Sequence, residues 1–149
     1  MLSHDDKEAD SLEGRMARQE NLPKNFSWVI PEMVAGCACP GSEMELLALV
    51  GMGVTHLVTL SMDRPPPQAI CGVKKLKWTV ISINNLKGPT VDEFQVFNDL
   101  VSKELSEGGK VVVHCGMGKG RTGTMLASFI MTKEGLSAEK VKRFENDKK

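Results

Sequence analysis

The chain has 149 residues, 41% of them hydrophobic and 26% charged, and its formal net charge is zero. This length suits one globular domain with a buried core, and the charge balance gives no general attraction to nucleic acid or to an acidic membrane surface. No stretch approaches the length of a membrane span. Four cysteines without a secretory apolar segment favour a reducing compartment, the cytoplasm or also the nucleus. We expect a monomer.

The first part of the chain changes from polar to apolar. Residues 1–21 are mostly charged and lack apolar periodicity, which predicts a flexible tail. The remaining residues, 22–149, are expected to form the domain. Two short strands are predicted at 26–30 and 33–36, separated by a turn at Pro31.

A helix is predicted next. Ser42 and Glu45 have the spacing of a capping box ahead of an apolar stripe, and the helix is expected to end at Gly51 or Gly53. Residues 54–60 then form a run rich in β-branched side chains, which favours a strand.

The middle of the chain is predicted to form a further strand followed by a helix. A proline-rich loop at 63–67 precedes an alternating apolar segment at 76–83, which predicts another strand. Thr90 and Glu93 form a second capping box, and the helix that follows is expected to end at the glycine pair 108–109.

A short apolar strand at 111–113 leads through a glycine-rich turn into a final helix. Apolar side chains recur there at helical spacing: Met125, Leu126, Phe129 and Ile130. Strands that alternate with helices favour an α/β domain with a largely parallel sheet flanked by helices. In such domains functional sites lie at the carboxyl ends of the strands, where this turn would be.

The turn has the features of an anion site with a reactive thiol. Its glycines allow the backbone to curl so that successive N–H groups point inward, at the positive end of a helix dipole. Cys115 begins the turn and Arg121 closes it. A helix N-terminus and nearby cations lower the pKa of a thiol, so Cys115 is a candidate nucleophile and Arg121 a candidate anion clamp.

Two other phosphate-binding motifs fit less well. Gly118-x-Gly120-x-x-Gly123 matches the dinucleotide fingerprint, but that motif opens a βαβ unit with an acidic residue on a second strand. The residues after Gly123 have a helical pattern instead. A Walker loop requires Ser or Thr after Gly-Lys, and here Gly120 follows Lys119.

The pattern His114-Cys115-x-x-Gly118-x-x-Arg121-Thr122 resembles the signature of the cysteine-based protein tyrosine and dual-specificity phosphatases. The stretches 25–31, 53–60 and 120–127 are similar to small atypical members of that family, and the resemblance covers residues 22–145. It implies a central, largely parallel sheet flanked by helices, and a reaction without metal or cofactor. The implied partner is a phosphorylated protein or peptide substrate, not nucleic acid or a membrane.

The resemblance also assigns roles by position. Cys115 would attack phosphorus, Arg121 would clamp two phosphate oxygens, Thr122 would help the sulfur to leave, and His114 would order the loop. Backbone N–H groups of the loop would bind the phosphate: Gly116, Met117, Gly118, Lys119, Gly120 and Arg121. Lys119 also occupies a position that carries lysine in phosphoinositide phosphatases, where it would contact a further phosphate.

Other polar residues have ordinary explanations. Cys37 and Cys39 lack a matching pair of metal ligands, so two small buried residues are favoured over a metal site. His56 lies in a predicted strand and is expected to be packed or hydrogen-bonded.

Two features depart from the family pattern. Relatives carry an aspartate general acid where this chain has Asn85, and an amide cannot donate that proton. Asp92 is the nearest carboxylate in the sequence, but a place in the first turn of a helix also explains it. The segment after the last predicted helical piece, which begins at Ser137, is expected to be shortened at its C-terminus.

These observations leave two functions open. One is a slow cysteine phosphatase acting on phosphotyrosine, and on phosphoserine or phosphothreonine. The other is a pseudophosphatase that binds a phosphorylated partner, because Asn85 cannot assist turnover. A phosphoinositide phosphatase, which Lys119 suggests by resemblance, is a weaker alternative. Sulfur transfer of the rhodanese type is also weaker, since that class lacks the His-Cys and Arg-Thr-Gly context by resemblance.

Overall fold

The computed structural model describes residues 21–61, 66, 75–83, 88–115 and 120–134. Within these ranges the chain forms five strands and three helices. In chain order they are β1 Ser27–Ile30, β2 Val34–Cys37, α1 Glu43–Gly51, β3 His56–Thr59, β4 Lys77–Val80, α2 Val91–Ser106, β5 Val111–His114 and α3 Gly120–Glu134. None of the described helices is both long and apolar enough to cross a membrane.

The five strands form one sheet in the order β1-β2-β5-β3-β4. Only β1 and β2 pair antiparallel, and every other neighbouring pair is parallel. The predicted α/β domain with a largely parallel sheet is therefore confirmed. Because β5 lies at the centre, both of its edges are hydrogen-bonded and all four of its residues are buried.

Each face of the sheet has its own core, since alternate residues of a strand point to opposite faces. Val111 and Val113 belong to a core with Phe97 of α2 and Met125 of α3. Val112 belongs to the other core, which includes α1 residues Leu46 and Leu49. The run of valines in β5 thus reflects burial on both faces, as is usual in a parallel sheet.

Local capping positions two of the helices. At the start of α2 both bonds of the capping box are present, from Thr90 N to Glu93 Oε1 at 2.8 Å and from Glu93 N to Thr90 Oγ1 at 3.1 Å. At α1 the Ser42 hydroxyl accepts from Glu45 N, but the Glu45 carboxylate accepts from Gly41 N rather than from Ser42 N. The sequence predicted both helix starts correctly, although only α2 has the full reciprocal box.

The last strand in the sheet order, β4, does not follow the predicted alternation. Val80 is 39% exposed, whereas Leu76, Ile81 and Ile83 around it are buried. The reason is that, among the described strands, β4 lies at the edge of the sheet and pairs only with β3. The predicted tail and the helical piece after Ser137 lie outside the described residues.

A buried carboxylate joins the end of α2 to the starts of β3 and β4. Glu104 is 5% exposed and accepts hydrogen bonds from Thr55 Oγ1 at 2.7 Å and from Lys77 Nζ at 3.0 Å. His56 Nδ1 lies 3.0 Å from Glu104 Oε1, and His56 Nε2 lies 2.7 Å from Thr79 Oγ1. The expectation that His56 is a hydrogen-bonded strand residue is confirmed.

The same contacts determine the ionisation of Glu104. Burial by itself raises the pKa of this carboxyl, but the hydrogen bonds from Thr55, His56 and Lys77 outweigh it and lower that pKa from 4.5 to about 2. The folded protein therefore keeps Glu104 ionised at pH values where the unfolded chain binds a proton. The resulting stabilisation is complete above pH 4.5 and is lost as the pH falls towards 2.

We predict that Glu104→Gln removes an acid-dependent part of the stability. Between pH 6 and pH 2 the wild type should lose about 3 kcal/mol more unfolding free energy than the variant, since one pKa unit corresponds to ~1.4 kcal/mol. Urea unfolding at a series of pH values measures the difference. Glu107→Gln is the matched control, because Glu107 is exposed and lies 3.8 Å from the same lysine. Parallel pH curves for wild type and Glu104→Gln would contradict the prediction.

Candidate functional site

Cys115 lies directly after β5, at the carboxyl end of the central strand. It is 4% exposed. The parallel neighbours of β5 end at the same level, since Cys37 of β2 and Thr59 of β3 are both register partners of His114. The candidate nucleophile is thus held at the edge of the sheet where the strands' carboxyl ends meet.

Arg121 lies in the first turn of α3, which begins at Gly120. Its guanidinium Nη1 donates a hydrogen bond to the backbone carbonyl of Ile83 at 3.3 Å. The start of α3 and the segment after β4 are thereby joined. The rest of the predicted loop, Gly116, Met117, Gly118 and Lys119, and the predicted acid position Asn85 lie outside the described residues.

Thr122 lies beneath the start of α3, against strand β2. It is 1% exposed, and its Oγ1 has no hydrogen-bond partner among the described residues. A Cβ at Gly36 would lie 3.0 Å from Thr122 Cγ2 and 2.9 Å from Leu126 Cδ1. The glycine therefore permits α3 to pack closely on the sheet and to bury the Thr122 hydroxyl. This buried hydroxyl retains its capacity for a further hydrogen bond.

His114 is completely buried and hydrogen-bonded at both ring nitrogens. Its Nδ1 lies 3.1 Å from the Cys115 carbonyl oxygen, and its Nε2 lies 2.7 Å from Thr59 Oγ1. Thr59 Oγ1 in turn accepts from the indole N–H of Trp78 at 2.8 Å. Burial lowers the pKa of His114, although the bond to the Cys115 carbonyl opposes that shift, and a lowered pKa favours the neutral ring.

Of the remaining candidates, Cys37 lies beside this site as the register partner of His114. Cys37 is buried, and burial raises the pKa of its thiol, with Cys39 and Glu45 adding to the shift. Across the part of the chain that the structure describes, no three His, Cys, Asp or Glu side chains form a group suited to a metal ion. Asp92 is exposed in the first turn of α2, where it stabilises the helix dipole.

Three residues of this region were not singled out from the sequence. Gly36 carried a usable signal, because glycine inside a strand often marks a close approach of another element. Trp78 carried a weaker one, since a half-buried indole N–H usually has a hydrogen-bond partner. Thr59 gave no signal in the sequence, because its hydrogen-bond partner His114 is 55 residues away and only the strand order brings the two together.

Comparison with known proteins gives a consistent result. A family described as "Swiss Army Knife protein, DSP-PTPase phosphatase domain" matches residues 23–149. The chain is 25% identical over 124 residues to dual specificity protein phosphatase 1 of Arabidopsis thaliana, which covers 83% of this chain and 58% of the relative. It is 30% identical over 86 residues to dual specificity protein phosphatase 26 of Mus musculus, and this match covers 54% of this chain and 39% of the relative. The chain thus spans about half the length of these curated relatives.

Solved structures show the same fold. The crystal structure of Tk-PTP in the active form is similar with a TM-score of 0.73 at 22% identity, and the match covers 84% of each chain. The fold implied by the motif around Cys115 is therefore confirmed.

We predict that Gly36→Ala destabilises the protein by about 1–3 kcal/mol, the usual range for overpacking a core. The added methyl group would displace Thr122 and Leu126. Gly123→Ala is the matched control. Gly123 lies inside α3, and a Cβ added there would have no other atom within 4 Å. It should stabilise by ~0.5–1 kcal/mol. Urea unfolding of both variants tests this, and equal effects of the two substitutions would contradict it.

Proposed function

Since the chain belongs to the DSP-PTPase phosphatase domain family, we propose that it hydrolyses phosphorylated proteins or peptides through a phosphocysteine intermediate. The preferred substrate would be phosphotyrosine, with phosphoserine and phosphothreonine as slower ones. The observation that carries the proposal is the placement of Cys115 at the end of β5, with Thr122 buried under the start of α3. No metal or cofactor is required.

In the first step the Cys115 sulfur attacks phosphorus as a thiolate. The S–P bond forms while the P–O bond to the substrate breaks, and the leaving oxygen needs a proton unless it is already a stable anion. Arg121 and the backbone N–H groups of residues 116–121 would bind the phosphate oxygens, whose charge they stabilise in the transition state. Arg121 would have to exchange or share its bond with the Ile83 carbonyl to do so.

In the second step water attacks phosphorus and the S–P bond breaks. The sulfur leaves as a thiolate, which is stabilised by any hydrogen bond it accepts. Thr122 is suited to that bond because its buried Oγ1 has no other partner among the described residues. Inorganic phosphate and the free enzyme are the products.

Asn85 is expected to make both steps slow. A general acid contributes ~10²–10⁴ to the rate, and an amide can neither give the proton to the leaving oxygen nor take one from water. Aryl phosphates should suffer least, because their leaving groups need little protonation. This is why phosphotyrosine is the preferred substrate in the proposal.

A second function is supported by the same residue. If turnover is too slow to matter, the site would act as a phosphoprotein-binding module, either by holding the phosphate or by trapping the phosphocysteine. The loop residues that bind phosphate, including Lys119, are all intact in the sequence, whereas the acid position is Asn85.

We predict that Asn85→Asp raises steady-state hydrolysis of phosphotyrosine peptides by about 10²-fold or more, within the range that a general acid contributes. Asn84→Asp is the matched control, because it adds the same charge one residue earlier and should have little effect. Equal activity of wild type and Asn85→Asp would show that position 85 is not the acid position, and Asp92→Asn would then be tested.

We further predict that Cys115→Ser abolishes hydrolysis while phosphopeptide binding remains. Steady-state turnover by the wild type that depends on Cys115 would rule out a pure binding module. A burst of product without steady-state turnover would instead favour a binding module that traps the phosphocysteine. Cys115-dependent sulfur transfer without phosphate release would overturn both functions.

A further inference from the structure

A chain of hydrogen bonds runs from the edge of the sheet to the candidate nucleophile. It starts at the Trp78 indole on β4, passes through the Thr59 hydroxyl on β3 and the His114 ring on β5, and ends at the carbonyl oxygen of Cys115. Its heavy-atom distances are 2.8, 2.7 and 3.1 Å in that order. Thr59 and His114 are completely buried, so water cannot replace either partner.

The chemistry of the two ends determines the direction of every bond. An indole N–H only donates and a carbonyl oxygen only accepts. His114 Nδ1 must therefore carry the ring proton, since it faces the Cys115 carbonyl. In a neutral ring Nε2 is then an acceptor, and the Thr59 hydroxyl must donate to it. Thr59 Oγ1 is free to accept from Trp78, so each group has a compatible partner.

Resting on the proposed function, we propose that Thr59 and Trp78 are positioning residues of the phosphatase site, which hold His114 with its Nδ1–H on the Cys115 carbonyl. Donation from Trp78 polarises the Thr59 hydroxyl, which strengthens its bond to His114 Nε2. The ring is fixed at both nitrogens and cannot turn away from the carbonyl.

The consequence for the site comes from peptide geometry. In a trans peptide the carbonyl and the N–H of the next residue point in opposite directions. A carbonyl held on the buried His114 ring therefore restricts how the chain leaves Cys115. Fixing the Cys115 carbonyl would thus preorganise the entry into the predicted phosphate loop before substrate arrives, and such preorganisation lowers the barrier of a chemical step.

Two substitutions break the chain of hydrogen bonds at different points, and a third keeps it. Thr59→Val removes the hydroxyl and keeps the shape, Trp78→Phe removes the indole N–H and keeps an aromatic ring, and Thr59→Ser restores the hydroxyl. The matched controls are Thr79→Val, whose hydroxyl contacts His56, and Trp28→Phe, whose ring packs on Phe26. The two controls test whether losing a strand threonine or a tryptophan matters in general.

The first measurement needs no activity. Nitrogen-15 NMR of the histidine rings should show His114 neutral at pH 7 with its proton on Nδ1, and that proton should exchange slowly with water. Thr59→Val and Trp78→Phe should speed the exchange, whereas Thr59→Ser and the controls should not. A proton on Nε2, or exchange that is unchanged in both Thr59→Val and Trp78→Phe, would overturn the proposal.

The second measurement is kinetic. Thr59→Val should lower kcat/KM for an aryl phosphate about tenfold, the scale of one buried hydrogen bond, and should weaken inhibition by inorganic phosphate. Trp78→Phe should have a smaller effect in the same direction, and Thr59→Ser should recover most of the wild-type rate. Wild-type kinetics and phosphate inhibition in Thr59→Val would overturn the proposal.

The two proposals fail separately. If the wild type shows no Cys115-dependent turnover, the proposed function is wrong. The NMR measurement and direct binding of inorganic phosphate would then still test the roles of Thr59 and Trp78. If turnover is present and Thr59→Val fails to fold, Trp78→Phe carries the test. Activity losses of the same size in Thr79→Val and Trp28→Phe would show that general destabilisation is responsible and would overturn the proposal.

Discussion

The parallel pairing of β5 between β2 and β3 is the constraint on which the site depends. Two hydrogen-bonded edges and two covered faces leave β5 little freedom, so the position of the next residue, Cys115, is determined by the sheet. The same pairing places His114 opposite Thr59 and Cys37 at the carboxyl end. A polar group is costly in such a place unless it is hydrogen-bonded, and the ring of His114 has a partner at both nitrogens.

The two ends of the sheet use buried polar groups for different purposes. At the amino end, Glu104 is ionised and is bonded to Thr55, His56 and Lys77, so that α2 is anchored to β3 and β4. At the carboxyl end, Trp78, Thr59 and His114 are joined by hydrogen bonds. Burial lowers the pKa of His114, which favours its uncharged form there.

The sequence predicted most of what depends on near neighbours in the chain. Helix starts follow from pairs three residues apart, and the burial of β5 follows from its run of valines. The edge position of β4 could not be foreseen, since strand order is a long-range property, and this explains why Val80 is exposed. For the same reason the sequence located Cys115, Arg121 and Thr122 within one motif but could not connect them to Gly36, Thr59 or Ile83.

The contact of Arg121 with the Ile83 carbonyl bears on how the proposed phosphate capture relates to the proposed proton transfer. The acceptor of this bond is a backbone carbonyl, so it does not depend on which side chain occupies position 83. In the proposed function Asn85 would remove the proton donor, whereas the bond of Arg121 to the Ile83 carbonyl needs no side chain as its acceptor. The proposed slow enzyme and the proposed phosphate-binding module would therefore share this architecture. They would differ in how fast the leaving oxygen gains its proton and the attacking water loses one.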